Sequence, residues 1–150
     1  MRDRALLAVW YRSIVLATAA CSLIGVQLLC GNAKAQQIGE KDIARTCRAT
    51  VAKLMGLDVR IIRLDSVRDA AAYVKYNRPT DGKLWRNRCR LEGDQVIWGT
   101  VDAFGEGSGL GRWRTRPDDE RVHYKIVGNA ERITVKYPDG SGSTDTIIVD

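Results

Sequence analysis

The chain is poor in the residues that most often perform catalysis or hold metal ions. Histidine occurs once among 150 residues, cysteine occurs four times, and no two cysteines are spaced as C-x-x-C. A metal centre or an acid–base pair needs several such groups close together. The composition therefore predicts no metal site and no cofactor, and it gives little support to an enzyme.

Long hydrophobic runs are also scarce, and the one present lies near the N-terminus. Residues 13–30 are almost all apolar or small, three arginines precede them, and Ala33-Lys34-Ala35 follows. A basic start, an apolar run and an A-x-A site are typical of a secretory signal peptide. We predict a signal peptide over residues 1–35 and a single exported domain over residues 36–150, which is periplasmic or secreted.

Two alternatives remain open for this N-terminal segment. The apolar run is longer than a usual signal core, so it could be retained as a membrane anchor, and only then would the protein contact a membrane. Cys21 follows two alanines and could instead be the lipid acceptor of a lipoprotein, whereas Leu29 before Cys30 does not suit that chemistry. Cleavage after Ala35 is favoured because the A-x-A site is well formed and follows the apolar run closely.

Loss of the signal peptide changes the charge balance. The full chain has 24 Lys and Arg against 18 Asp and Glu, a net charge of +6. Four of the basic residues and one acidic residue lie before Gln36, so the net charge of the mature domain falls to +3. A charge of this size permits an anionic partner without requiring one. Together with export, it argues against nucleic acid as the partner.

Two cysteines remain in the mature chain, Cys47 and Cys89. In an oxidising compartment such a pair is expected to form a disulfide. Closing their 42-residue separation would stabilise the domain by roughly 4 kcal/mol in the loop-entropy model. A redox or metal pair is the alternative, and neither a C-x-x-C spacing nor additional histidines support it.

The mature chain predicts an α+β fold in which one N-terminal helix packs on an antiparallel β-meander of about six strands. Apolar residues recur at helical spacing through residues 40–55, and Gly56 is suited to end that helix. Short β-prone segments follow, and tight Asp, Gly and Asn turns between them favour antiparallel neighbours. These segments are residues 58–64, 70–77, 83–91, 95–101, 121–127, 132–137 and 144–149.

The glycine-rich segment from Phe104 to Glu120 interrupts this pattern. Its G-x-G spacing resembles a phosphate loop, but such loops follow a strand and open a helix. Here the glycines precede arginines and Pro117, which predicts a long, flexible hairpin loop. The acidic run that ends the segment, residues 118–120, is expected to form a solvated, charge-paired turn beside the arginines.

Two alternating arginine rows are the best candidates for a contact surface. On a strand, Trp85, Cys89 and Leu91 would face the core, so the arginines between them would point outward about 7 Å apart. A second row alternates around Trp113, which could add a stacking platform. If the rows share one face, they would bind carboxylates or phosphates; paired charges on an exposed sheet face are the alternative. The candidate residues are Arg86, Arg88, Arg90, Arg112, Trp113, Arg114 and Arg116.

Two functions are compatible with these patterns. The favoured one is a non-catalytic exported binding protein of the cell envelope. It would bind an acidic envelope polymer or another exported protein, such as a hydrolase that it inhibits, through the glycine-rich loop and the arginines. The alternative is a small envelope hydrolase that uses His123 or a carboxylate, with Ser108, Ser141 or Ser143 as the nucleophile. His123 alternates with apolar residues and is expected to be an exposed strand residue.

Overall fold

The computed structural model describes residues 38–105 and 107–150. The predicted signal peptide, with its membrane-anchor and lipoprotein alternatives, lies outside the described residues. In the described part of the chain, no helix is long and apolar enough to cross a membrane.

The helix occupies the range that the sequence predicts. Helix α1 spans Glu40–Met55, and the Asp42 carboxylate accepts a hydrogen bond from the Gly39 amide at its N-terminus (3.2 Å). Gly56 follows with a φ of 64°, and its amide donates to the Ala52 carbonyl. That left-handed conformation costs glycine little, and it ends the helix where the apolar spacing stops.

The strands form one antiparallel sheet in chain order, so the α+β class is confirmed. Within the described residues the sheet has seven strands rather than about six. They are β1 Arg63–Arg68, β2 Ala71–Asn77, β3 Leu84–Glu92, β4 Gln95–Val101, β5 Arg121–Val127, β6 Ala130–Lys136 and β7 Gly142–Ile148.

The predicted strand over residues 58–64 is wrong for most of its length. Val59–Ile61 form a short 3₁₀ helix, and β1 begins only at Arg63. The Asp58 carboxylate accepts a hydrogen bond from the Arg60 amide (2.9 Å), which turns the chain there. A local side-chain cap thus overrides the β-branched composition of the segment.

The core lies between the helix and one face of the sheet, and the predicted disulfide is at its centre. Cys47 on α1 and Cys89 on β3 are fully buried, with their sulfur atoms 2.07 Å apart and their Cα atoms 5.5 Å apart. Tyr76 and Trp98 are buried in the same cluster, as their positions in the strands predict. Such a bridge is typical of proteins that work outside the cytoplasm.

Strand β4 is paired with β5 at its start and with a loop segment further along, and this change shapes the outer surface of the sheet. At its start, Gln95 is paired with His123 of β5. Further along, residues 110–114 take the place of β5: the Gly111 amide donates to the Thr100 carbonyl (3.0 Å) and the Arg114 amide to the Trp98 carbonyl (2.8 Å). We call residues 110–120 the covering segment. The prediction of a flexible loop through Glu120 is therefore wrong for its second half.

A buried carboxylate lies on β6 beneath the helix. Glu131 is fully buried, accepts a hydrogen bond from the Thr46 hydroxyl (3.1 Å) and lies 3.7 Å from Arg45. Burial raises its pKa above the ordinary value of 4.5, and the Thr46 hydrogen bond and the Arg45 charge only partly oppose this shift.

Removal of this charge is expected to stabilise the fold at neutral pH. A raised pKa means that the ionised carboxylate costs more in the folded than in the unfolded chain, so stability is lost as pH rises through the folded pKa. We expect Glu131→Gln to raise the free energy of unfolding by about 1 kcal/mol at pH 7. The gain should shrink below pH 4.5, where both states bind the proton. Urea unfolding of the wild-type protein and the variant, at pH 7 and below pH 4.5, measures this. A loss of stability in the variant at pH 7 would show that the attraction between Glu131 and Arg45 outweighs the cost of burying the charge.

Candidate functional site

The β3 arginines point away from the core, but the covering segment lies over the middle of their row. Arg88 is only 8% exposed. Its guanidinium donates to the Gly111 carbonyl (2.8 Å) and stacks 3.8 Å from the centre of the Trp113 ring, and Arg90 lies 4.7 Å from the same ring. Arg88 and Arg90 therefore hold Trp113 against the sheet, and this ring is not an open platform.

A close backbone approach makes this covering possible. Gly99 lies opposite Arg88 on β4. A Cβ atom at Gly99 would be 2.7 Å from the Arg112 carbonyl oxygen. Only glycine leaves room for the covering segment at this point.

In the second arginine row, the charges of Arg112 and Arg114 are neutralised by the acidic run that follows them. Arg112 binds Asp119 through two hydrogen bonds of 2.6 Å. Arg114 lies 3.2 Å from the same carboxylate and donates to Glu120 (2.7 Å). The turn is charge-paired as predicted, but only Asp118 is solvated, because Asp119 and Glu120 are buried. The Arg112 hydrogen bonds, with the Arg116 amide, hold the pKa of Asp119 far below its usual range.

The two rows do not form one face. Trp98 is paired directly with Cys89, which places it on the helix side of the sheet. Its indole donates to Glu120 (2.6 Å), and Arg114 lies 5.1 Å from the centre of its ring. Arg114 is thus on the core side, whereas Trp113 contacts the β3 arginines on the other side. The Arg116 side chain is exposed, and Arg90 is also paired with Glu92 (2.7 Å).

A cleft that the sequence did not predict lies where the turn between β2 and β3 meets the residues after β4. Its volume is about 520 Å³. We call it the turn cleft. Among the predicted contact residues, Arg86 lines it. Its lining residues are Arg78, Lys83, Leu84, Trp85, Arg86, Val101, Asp102, Ala103 and Gly105.

The charges around the turn cleft are predominantly positive. Three cations line it, and Asp102, the acid among the lining residues, is 3.1 Å from Arg86. Arg78 donates to Asp81 (2.9 Å), and this hydrogen bond lowers the pKa of Asp81 to about 2. Arg78 and Lys83 flank the Pro79–Gly82 turn, and a basic residue on each side of that turn was the signal available in the sequence.

Three exposed apolar residues lie on the segments that form the same cleft or next to them in the sheet. Phe104 is 94% exposed, and its two chain neighbours, Ala103 and Gly105, line the cleft. Leu84 is 49% exposed and is itself a lining residue, and Leu110 is 56% exposed and pairs with Val101 across an isolated bridge. We call Leu84, Phe104 and Leu110 the apolar rim.

The residues proposed for catalysis are not brought together. His123 is partly exposed, and its Nδ1 lies 3.1 Å from Asp94. Ser143 is in register with Val122 through Val135, which places it on the opposite face of the sheet from His123. Ser108 and Ser141 form hydrogen bonds within their own turns. Across the described ranges, no three His, Cys, Asp or Glu residues are arranged to hold a metal ion.

The turn cleft is a candidate binding site, because it combines concavity, positive charge and an apolar rim. No protein-family model, curated protein or solved structure matches this chain.

Proposed function

We propose that this protein is a non-catalytic exported binding protein of the cell envelope, and that it binds an anionic partner in the turn cleft. The observation that carries the proposal is the lining of the cleft, where Arg78, Lys83 and Arg86 surround a concave surface with Asp102 as the opposing acid. Guanidinium and ammonium groups arranged in this way attract and orient carboxylates or phosphates.

Three of the other candidate arginines, Arg88, Arg112 and Arg114, support this location because they are held by contacts within the protein. Arg88 is buried under Trp113, and Arg112 and Arg114 are paired with buried carboxylates. Their charges hold the covering segment in place, so a partner would have to break existing ion pairs to use them. Arg78 and Arg86 also form ion pairs, with Asp81 and Asp102, but these pairs are partly exposed at the cleft, whereas Asp119 and Glu120 are buried.

The disulfide and the predicted signal peptide support a role outside the cytoplasm. If His123 of β5 served the hydrolase alternative, it would have to act with a nucleophile, and Ser143, two strands away on β7, lies on the opposite face of the sheet.

Direct binding of defined polymers tests the proposal. The full chain is expressed, and the protein recovered outside the cytoplasm is titrated with poly-L-glutamate, polygalacturonate and neutral dextran in a calorimeter. We expect the two polyanions to bind and dextran not to bind. Lys83→Glu should weaken binding of the polyanions about tenfold, because it places a carboxylate in the cleft.

The matched control is Lys125→Glu, which makes the same charge change at an exposed position of β5. It should leave the affinities within a factor of about two, since it lies outside the cleft. Equal losses in the two variants would mean that net charge alone drives binding. No binding of either polyanion would rule out the proposed function.

A further inference from the structure

The apolar rim sets the turn cleft apart from a simple anion site. Phe104 is almost fully exposed, and Leu84 and Leu110 are about half exposed. Leu84 lines the cleft, Leu110 pairs with a lining residue, and Phe104 lies between two of them in the chain. Large exposed apolar side chains on the segments that form a cationic cleft are suited to contact apolar groups of a partner.

Two tryptophans, Trp85 and Trp113, are poorly placed to bind a polysaccharide. Sugar rings stack on open aromatic faces, but Arg78 lies 4.9 Å from the centre of the Trp85 ring, and Arg88 lies 3.8 Å from that of Trp113. Both tryptophans already have a guanidinium on a face. The exposed groups are instead aliphatic and phenyl side chains, which match the apolar side chains of a polypeptide.

Shape and charge favour a polypeptide over a lipid surface or a second copy of this chain as the occupant of the turn cleft. A lipid surface is flat on this scale and would leave a 520 Å³ concave cleft unfilled. A second copy docked through the same end would bring Arg78, Lys83 and Arg86 of both copies together, and among the described residues Asp81 and Asp102 would only partly offset this charge. An extended polypeptide segment enters a cleft, and its carboxylates supply the complementary charge.

We infer that the turn cleft receives an acidic polypeptide segment of another exported protein, whose carboxylates meet Arg78, Lys83 and Arg86 while its apolar side chains pack on Leu84, Phe104 and Leu110. The inference rests on the proposed function, because it names the partner class of the same cleft. Phe104 is the main apolar anchor, since it has the most surface to bury.

Copolymers of defined composition test the inference. We expect the full-length protein, processed and purified as above, to bind random poly(Glu,Tyr) of 4:1 composition about tenfold more tightly than poly-L-glutamate of equal length. Phe104→Ser should abolish this preference while leaving the affinity for poly-L-glutamate unchanged, and Phe104→Leu should retain most of it. Tyr137→Ser removes an exposed aromatic residue from the β6–β7 turn and is the matched control with no expected effect.

Other results of these binding experiments would each lead to a different conclusion about the occupant of the turn cleft. Equal affinities for the two polypeptides, with Phe104→Ser silent, would overturn the inference and leave the proposed function standing. Co-sedimentation with phosphatidylglycerol vesicles that Phe104→Ser abolishes would overturn it in favour of a membrane, and self-association that this variant abolishes would overturn it in favour of a second copy. If neither polypeptide nor polygalacturonate binds, the proposed function itself fails.

Discussion

Replacement of both bridged cysteines by alanine is expected to lower the free energy of unfolding by about 4 kcal/mol. The bridge closes a 42-residue separation and links α1 to the middle of β3. Its removal lets the unfolded chain expand, and it also leaves small gaps at two fully buried positions. For a domain of this size, the melting temperature should fall by roughly 15–25 °C. Thermal unfolding of Cys47→Ala/Cys89→Ala beside the oxidised wild-type protein measures the loss.

Reduction of the wild-type protein is the control for this experiment. Dithiothreitol should lower the melting temperature of the wild-type protein toward that of the double variant and leave the variant unchanged. If wild-type protein recovered from outside the cytoplasm and unfolded in denaturant without reductant shows two free thiols, the cysteines are not joined there, and the argument for export from cysteine usage fails.

The second large effect is expected at the buried carboxylate of the covering segment. Asp119 accepts two hydrogen bonds from Arg112 and one from the Arg116 amide (2.8 Å). Asp119→Asn keeps the shape but turns one acceptor oxygen into a donor that faces a cation. We expect the free energy of unfolding to fall by about 2 kcal/mol at pH 7. Urea unfolding measures this.

The neighbouring acid provides the control. Asp118 is exposed, so Asp118→Asn removes the same charge from the same turn and should change stability by less than about 0.5 kcal/mol. A similar loss in both variants would indicate that the net charge of the turn, rather than the Arg112 contact, is responsible.

The pH dependence of this effect follows from the pKa of Asp119. Because the folded pKa lies below the ordinary value of 3.8, the stability that Asp119 adds is complete above that value and is lost as pH falls toward the folded pKa. The difference between the wild-type protein and Asp119→Asn should therefore be constant from pH 6 to 8 and narrow below pH 4. A difference that persists unchanged to pH 2 would contradict the assigned cause.

The arginine rows show that residue spacing along a strand predicts the direction of its side chains but not which other segments cover them. Alternation along β3 placed Cys89 in the core and its arginine neighbours outside, because side chains of a strand point to opposite faces by geometry alone. It could not show that Trp113, 25 residues away from Arg88, would cover them. That contact depends on residues 110–114 replacing β5 beside β4.

The sequence predicted helix α1 from its periodicity, the antiparallel order from its turn residues, and the disulfide from the number of cysteines. Each of these features depends on neighbours in the chain or, for Cys47 and Cys89, on a single possible partner. The turn cleft was not predicted, because it joins residues 78–86 to residues 101–105 and exists only once β3 and β4 are paired. The exposure of each arginine and lysine likewise depends on contacts between residues that are far apart in the sequence. Arg112 and Arg114 have acids close by in sequence, but Glu120 is buried because it also accepts the Trp98 indole N–H from another strand. The number of charges follows from the sequence, but strand pairing decides which of them are buried or paired, as it does for Arg88 and Glu120.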